Sequence, residues 1–143
     1  MTTNREQVPI DERTGLEVID HTECVTLLEA TPLGRLGFLS DGEQVILPVN
    51  YLWFENSVVI RTLEGQKLDA AIFAQKVAFQ IDGWDGHDRS GWSVLVKGTA
   101  HKVDEWAEIE ILEREGLVPW AKSQWRPNWV RIDPTEVTGR RLA

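Results

Sequence analysis

The chain has 143 residues, 42% hydrophobic and 27% charged, enough for one domain with a core of its own. Fifteen basic residues against 23 acidic ones leave a formal net charge of -8, which excludes a surface built for nucleic-acid backbones. A single cysteine, Cys24, excludes an intramolecular disulfide and a Cys-rich metal site, and no run nears the roughly 18 apolar residues of a membrane-spanning helix.

Residues 1–18 read as an N-terminal arm ahead of one domain over 19–143. The first eleven residues are polar and lack the apolar stretch of a leader, so the expected compartment is the cytoplasm. Asp20 or Thr22 is placed to cap a helix over 22–31, with Cys24, Leu27 and Leu28 on one face and Pro32 as its stop. Residues 34–39 read as a strand, Asp41-Gly42 as a hairpin turn, and 44–54 as the partner strand. Pro48 cannot donate to a ladder, so it marks an edge or a bulge. Glu55-Asn56 turns the chain into the β-branched run 57–62, which makes three successive strands a meander. A short helix is expected over 65–74, a strand over 76–84, a polar loop over 85–91 and the longest strand over 92–103. Asp104 is placed to cap a helix running to about 115, which Gly116 ends. Residues 129–132 and 136–140 are the last strand candidates. This order, with its tight turns, argues for a closed antiparallel barrel decorated by helices.

Three segments carry chemistry. In Arg61-Thr62-Leu63-Glu64-Gly65-Gln66-Lys67 a strand ends, a glycine turns the chain and a helix opens. A guanidinium, a hydroxyl, an ammonium and free helix N–H groups then converge, which is what a phosphate requires. Surface charges are the alternative reading of Arg61 and Lys67. In Pro48-Val49-Asn50-Tyr51 the proline opens the strand edge, and the Asn50 amide can hydrogen-bond the edge of a heteroaromatic ring. Trp92 and Ser93 begin the longest strand, where an indole can lie on a flat ligand and a hydroxyl can donate to it. A core tryptophan and a strand-initiating serine are the alternative there.

Taken in order, Pro48-Val49-Asn50-Tyr51, Arg61-Thr62, Gly65-x-Lys67-Leu68 and Gly91-Trp92-Ser93-x-x-Val96-x-Gly98 resemble the pyridoxamine 5'-phosphate oxidase-like FMN-binding split-barrel family. The likeness is greatest to its short actinobacterial-type branch and covers about residues 20–141. It implies a mainly β fold, a split antiparallel β-barrel with flanking short helices, and a homodimer with two FMN sites at its interface. Arg61, Thr62 and Lys67 match the positions that hold the flavin phosphate. Pro48, Val49 and Asn50 match the segment lining the isoalloxazine ring. Trp92 and Ser93 match the strand start that approaches the cofactor, and Arg140 lies in the family's last strand. The C-terminal substrate-binding segment of true pyridoxamine-phosphate oxidases is not found, so that reaction is not implied. Relatives of this size include flavin reductases, deazaflavin-dependent reductases, nitroimidazole-resistance-type proteins and haem-associated proteins.

The implied function is therefore an oxidoreductase using FMN or a deazaflavin coenzyme on an unknown small molecule. A phosphate motif does not separate those two cofactors. The alternatives are a non-catalytic flavin- or haem-binding carrier or sensor, and a barrel that has lost its ligand. Flavin chemistry belongs to the cofactor, so no catalytic side chain is named. Asp82, Asp85, His87 and Asp88 lack a regular ligand spacing and read as a solvated loop, not a metal site. Seven tryptophans are in the chain, three of them in 120–129, which is expected to form a loop at an interface or pocket rim.

Overall fold

The computed structural model describes residues 8–63, 75–116 and 127–142. The expected helix over 65–74, with Lys67, and the expected loop over 117–126 lie outside the described residues.

A short strand β1 (Glu17–Ile19) leads into helix α1 (His21–Ala30). Asp20 is the N-cap: its carboxylate accepts from the Glu23 N–H at 2.8 Å. Cys24 and Leu28 bury one face of the helix, and Pro32 follows its C-cap, Thr31. β2 (Leu33–Ser40) and β3 (Glu43–Asn50) form the expected hairpin. Asp41 and Gly42 both have positive φ, 51° and 78°, the two-residue turn whose twist suits an antiparallel pair.

The chain then departs from the expected meander. The strand foreseen over 44–54 breaks at Tyr51, and β4 (Leu52–Phe54) pairs only with β5 (Ser57–Leu63). The sheet runs β3-β2-β6-β7-β8-β5-β4, so β3 and β4, consecutive in sequence, sit at opposite ends of it. Tyr51 is the cause. Its ring is buried against Phe79, edge to face at 4.6 Å, and its hydroxyl donates to the Leu28 carbonyl at 2.7 Å. Swinging that side chain into the core takes the backbone off the ladder. Pro48 lies on β3, which among the described residues pairs only with β2, so the strand edge inferred from proline is where it was expected.

β6 (Lys76–Asp85) and β7 (Ser90–Lys102) are central. Helix α2 (Trp106–Arg114) follows, with Glu105 and not Asp104 as its N-cap, and no side-chain bond caps it. Gly116, with φ 72°, lies just past its end. The two final strand candidates merge into one strand, β8 (Pro127–Leu142). A bulge reconciles Pro134 with this ladder: β7 partners step from Glu136 to Pro134 between Lys97 and Gly98, leaving Thr135 as the extra residue. The Thr135 hydroxyl donates to the Lys97 carbonyl at 3.1 Å. β8 pairs with β7, β5 and β1.

The sheet curls around a core that includes Leu36, Ile60, Phe79, Val94 and Ile132. α2 covers a smaller cluster of Val59, Val103, Leu112 and Trp129. The curl brings β3 near β5 although the two are not partners. The result is a split barrel, a half-barrel open between β3 and β4, and not a continuously closed one.

Candidate functional site

Arg61 stands near the end of β5, opposite Trp129 of β8. Its guanidinium lies over the indole, 5.6 Å from the ring centroid, and its side chain is 24% exposed. Helix α2 delivers Glu113, whose carboxylate sits 3.6 Å from Arg61 Nη2 and accepts from Trp129 Nε1 at 2.9 Å. The cation is thus held on two sides at one rim of the barrel. Thr62 is the next residue of β5, paired with Asn128; its side chain, like Lys67, lies outside the described residues. Trp129, foreseen both in the tryptophan-rich loop and in a strand, belongs to the strand and is 2% exposed.

The Pro48–Asn50 segment ends β3, a strand that the curl carries near β5. Pro48 is exposed and Val49 buried. The Asn50 amide donates to the Pro32 carbonyl at 3.0 Å, tying the strand end to the loop after α1. Its N–H group therefore has a partner within the chain.

Trp92, Ser93 and Arg140 form a second group. The indole of Trp92 lies across Gly83, its cross-strand partner, where a Cβ would be 2.5 Å from the ring nitrogen. Ser93 pairs with Arg140. Arg140 Nε donates to Asp11 at 3.0 Å, so an N-terminal carboxylate already engages it. That contact holds the Asp11 carboxyl below its usual range. Eleven positions of β8 separate Trp129, beside Arg61, from Arg140, which is about 35 Å of extended chain. One chain thus holds Arg61 and Thr62 along one end of β8 and Trp92, Ser93 and Arg140 along the other.

Two features had no sequence signal. Arg131 of β8 is 15% exposed and donates to Ser57 Oγ at 2.6 Å, to Glu108 and to Glu55 at 3.3 Å. It clamps α2 to the sheet, and an arginine within a strand pattern announces none of this. The second is a groove of about 820 Å³ between β2, β3, β6 and β7, whose described lining includes none of Pro48, Val49, Asn50, Arg61, Trp92, Ser93 and Arg140. Burial pushes the Tyr51 hydroxyl and the Cys24 thiol above their ordinary pKa values. Among the described residues no group of three or more His, Cys, Asp or Glu could hold a metal, and Asp85 accepts from the His87 N–H at 2.9 Å. No helix among them is long and apolar enough to cross a membrane.

A family model described as pyridoxamine 5'-phosphate oxidase matches residues 20–141. The uncharacterized protein Rv0080 of Mycobacterium tuberculosis is 32% identical over 129 residues, 87% of this chain and 84% of its own. The solved FAD-binding protein of Mycobacterium smegmatis aligns with a TM-score of 0.76 at 36% identity, covering 88% of this chain and 99% of that one. A conserved protein of unknown function from Corynebacterium diphtheriae, DIP1874, aligns with a TM-score of 0.75 at 29% identity, over 90% of this chain and 98% of its own.

Proposed function

The chain belongs to the pyridoxamine 5'-phosphate oxidase family, and from that premise we propose that it binds a flavin nucleotide and serves as an oxidoreductase toward a small molecule. The observation that carries the reading is Arg61: a half-buried guanidinium near a strand end, braced by Trp129 and Glu113. A charge-assisted bond from such a fixed cation suits a phosphate. The similar Mycobacterium smegmatis protein binds FAD, which supports a flavin here. FMN is the form inferred from the sequence motifs, with a deazaflavin next and haem after it.

The division of the named residues into two groups supports a homodimer. Two copies related by a two-fold axis would bring Trp92, Ser93 and Arg140 of one to Arg61, Thr62 and Lys67 of the other. When bound, the flavin supplies two-electron transfer; the chain's residues bind and orient it. Arg61 would hold the phosphate, Pro48 and Val49 would lie along the ring, and Trp92 would exclude water from one side. Asp11 engages Arg140 Nε and the Gly139 carbonyl engages Nη1, so Nη2 is the edge of this guanidinium that would meet a ligand. The buried, free Cys24 suits a reducing cytoplasm.

The test is an absorbance spectrum of the purified protein, then titration with FMN, FAD, a deazaflavin and haem. One flavin should bind saturably, and Arg61→Ala should weaken it about tenfold to a hundredfold, for the loss of a bond worth about 1.5–3 kcal/mol. Equal affinity in the variant would refute the phosphate assignment. Bound flavin that a nicotinamide nucleotide does not reduce would turn the reading to a carrier or sensor.

A further inference from the structure

The geometry points to a second binding site, in the 820 Å³ groove on the outer face of the sheet, for a small molecule with a flat apolar body and one anionic group. Its floor follows the cross-strand row Ile46, Gly37, Ala78, Lys97. The residues on either side in sequence, such as Phe38, Val77 and Val96, point into the core, so this row faces out.

Gly37 is the informative residue. The other glycines within strands are demanded by the fold: at Gly34 and Gly98 a Cβ would come to 2.2 Å from Phe79 and from the Asp133 carbonyl. At Gly83, Gly91 and Gly139 it would come to 2.5, 2.8 and 2.6 Å of a neighbour. At Gly37 the closest atom would be 3.7 Å away, an ordinary contact, and the φ angle is not positive. Nothing in the packing or the backbone asks for glycine there, and glycine weakens a strand. What its missing side chain creates is a bare backbone floor that a flat molecule can approach closely.

The walls are unusual for a solvated sheet face. Ile46, at the end of the floor row, is 72% exposed, and Leu39 beside it is 50% exposed. Gln75 braces the rim, its amide donating to the Leu39 carbonyl at 2.9 Å and accepting from the Leu39 N–H at 2.7 Å, as a strand partner would. The groove is therefore preformed. Its cations are Lys76 and Lys97. Lys97 is 3.9 Å from Glu136, and no carboxylate among the described residues comes within ion-pair distance of Lys76. In a chain of net charge -8, two lysines on one apolar groove select an anion. The volume lies in the range of small-molecule sites, which pair apolar walls with a few polar groups.

The probe is 2-naphthoate, titrated calorimetrically into the full chain, with neutral 2-naphthamide as control. One saturable site per chain is expected for the acid, and binding at least about tenfold weaker for the amide. Gly37→Val fills the floor while keeping a strand-forming residue, so its melting temperature should stay level or rise and its naphthoate site should vanish. Replacing both Lys76 and Lys97 by Ala should weaken the acid about tenfold or more and leave the amide unchanged. FMN should not compete. The site is overturned by any of these results: no saturable binding, equal binding of the amide, retention of binding in Gly37→Val, or displacement by FMN. A dimer that Ile46→Asp dissociates would also overturn it, by showing that a second copy covers this face.

Discussion

Tyr51→Phe tests the account of how α1 ends and the sheet splits. In a continuing helix the Leu28 carbonyl would accept from residue 32, but Pro32 has no N–H to give. The Tyr51 hydroxyl supplies the missing donor from 2.7 Å, inside the core. Phenylalanine keeps the ring contact with Phe79 and leaves that carbonyl buried without a partner, at a cost of about 1–3 kcal/mol. For a chain of this size that is a fall of roughly 3–10 °C in melting temperature at pH 7. The pH dependence supplies a second readout. Burial raises the hydroxyl's pKa, so the folded state keeps a proton that the unfolded chain releases above about pH 10. The wild type then loses stability as pH rises past that value, about 1.4 kcal/mol per pH unit, and the phenylalanine variant does not. The gap between the two, read by chemical denaturation, should narrow between pH 10 and 11. A variant as stable as the wild type at pH 7, or a gap that stays constant to pH 11, would refute the reasoning.

Gly98→Ala should lower the melting temperature by several degrees, since its Cβ would sit 2.2 Å from the backbone oxygen of Asp133 at the bulge; the overpacking cost is about 1–3 kcal/mol, checked by thermal melting. Arg131→Met should cost about 2–3 kcal/mol and expose α2 first, because Glu108 loses its charged partner; amide exchange in residues 106–114 should accelerate more than in β6. The Asp11–Arg140 contact depends on an ionised carboxylate whose pKa is lowered, so it is complete above the unfolded value and lost as pH falls through the folded one. Amide protection of residues 17–19 should fall below about pH 4 in the wild type and already be reduced at pH 7 in Asp11→Asn.

Local features of this fold were legible in the sequence and its closure was not. Asp41-Gly42 and Glu55-Asn56 are turns with positive φ at all four positions, which Asp41, Gly42 and Asn56 tolerate by residue type and Glu55 does not. Asp20, Pro32 and Gly116 bound helices by local rules. The break at Tyr51 is different: the apolar stretch through 44–54 continues across it, and only the distant partners Leu28 and Phe79 dictate it. The same holds for β8, where the candidates 129–132 and 136–140 are one strand because a bulge against Lys97 carries Pro134 through the ladder. At the candidate site, Arg61 was visible as a strand-end cation beside a glycine, whereas Glu113 and Trp129, which brace it, come from elements 50 or more residues away. The groove floor escaped notice because Gly37 breaks no pattern; only the space around it distinguishes it from Gly34.

The place of β8 in the sheet has a consequence for biosynthesis. β5 and β7 are neighbours of this strand and not of each other, and β1 also waits for it. Until residues 127–142 have left the ribosome, three strands made earlier keep an open edge each. β5 carries Val58, Val59 and Ile60 in succession, so its edge is the sticky kind that invites pairing with another nascent chain. Assembly must therefore wait for this strand and be slow relative to a helical domain of equal length, since its decisive contacts join segments far apart in sequence. A nonsense mutation before residue 127 would leave those edges open and yield material prone to aggregate.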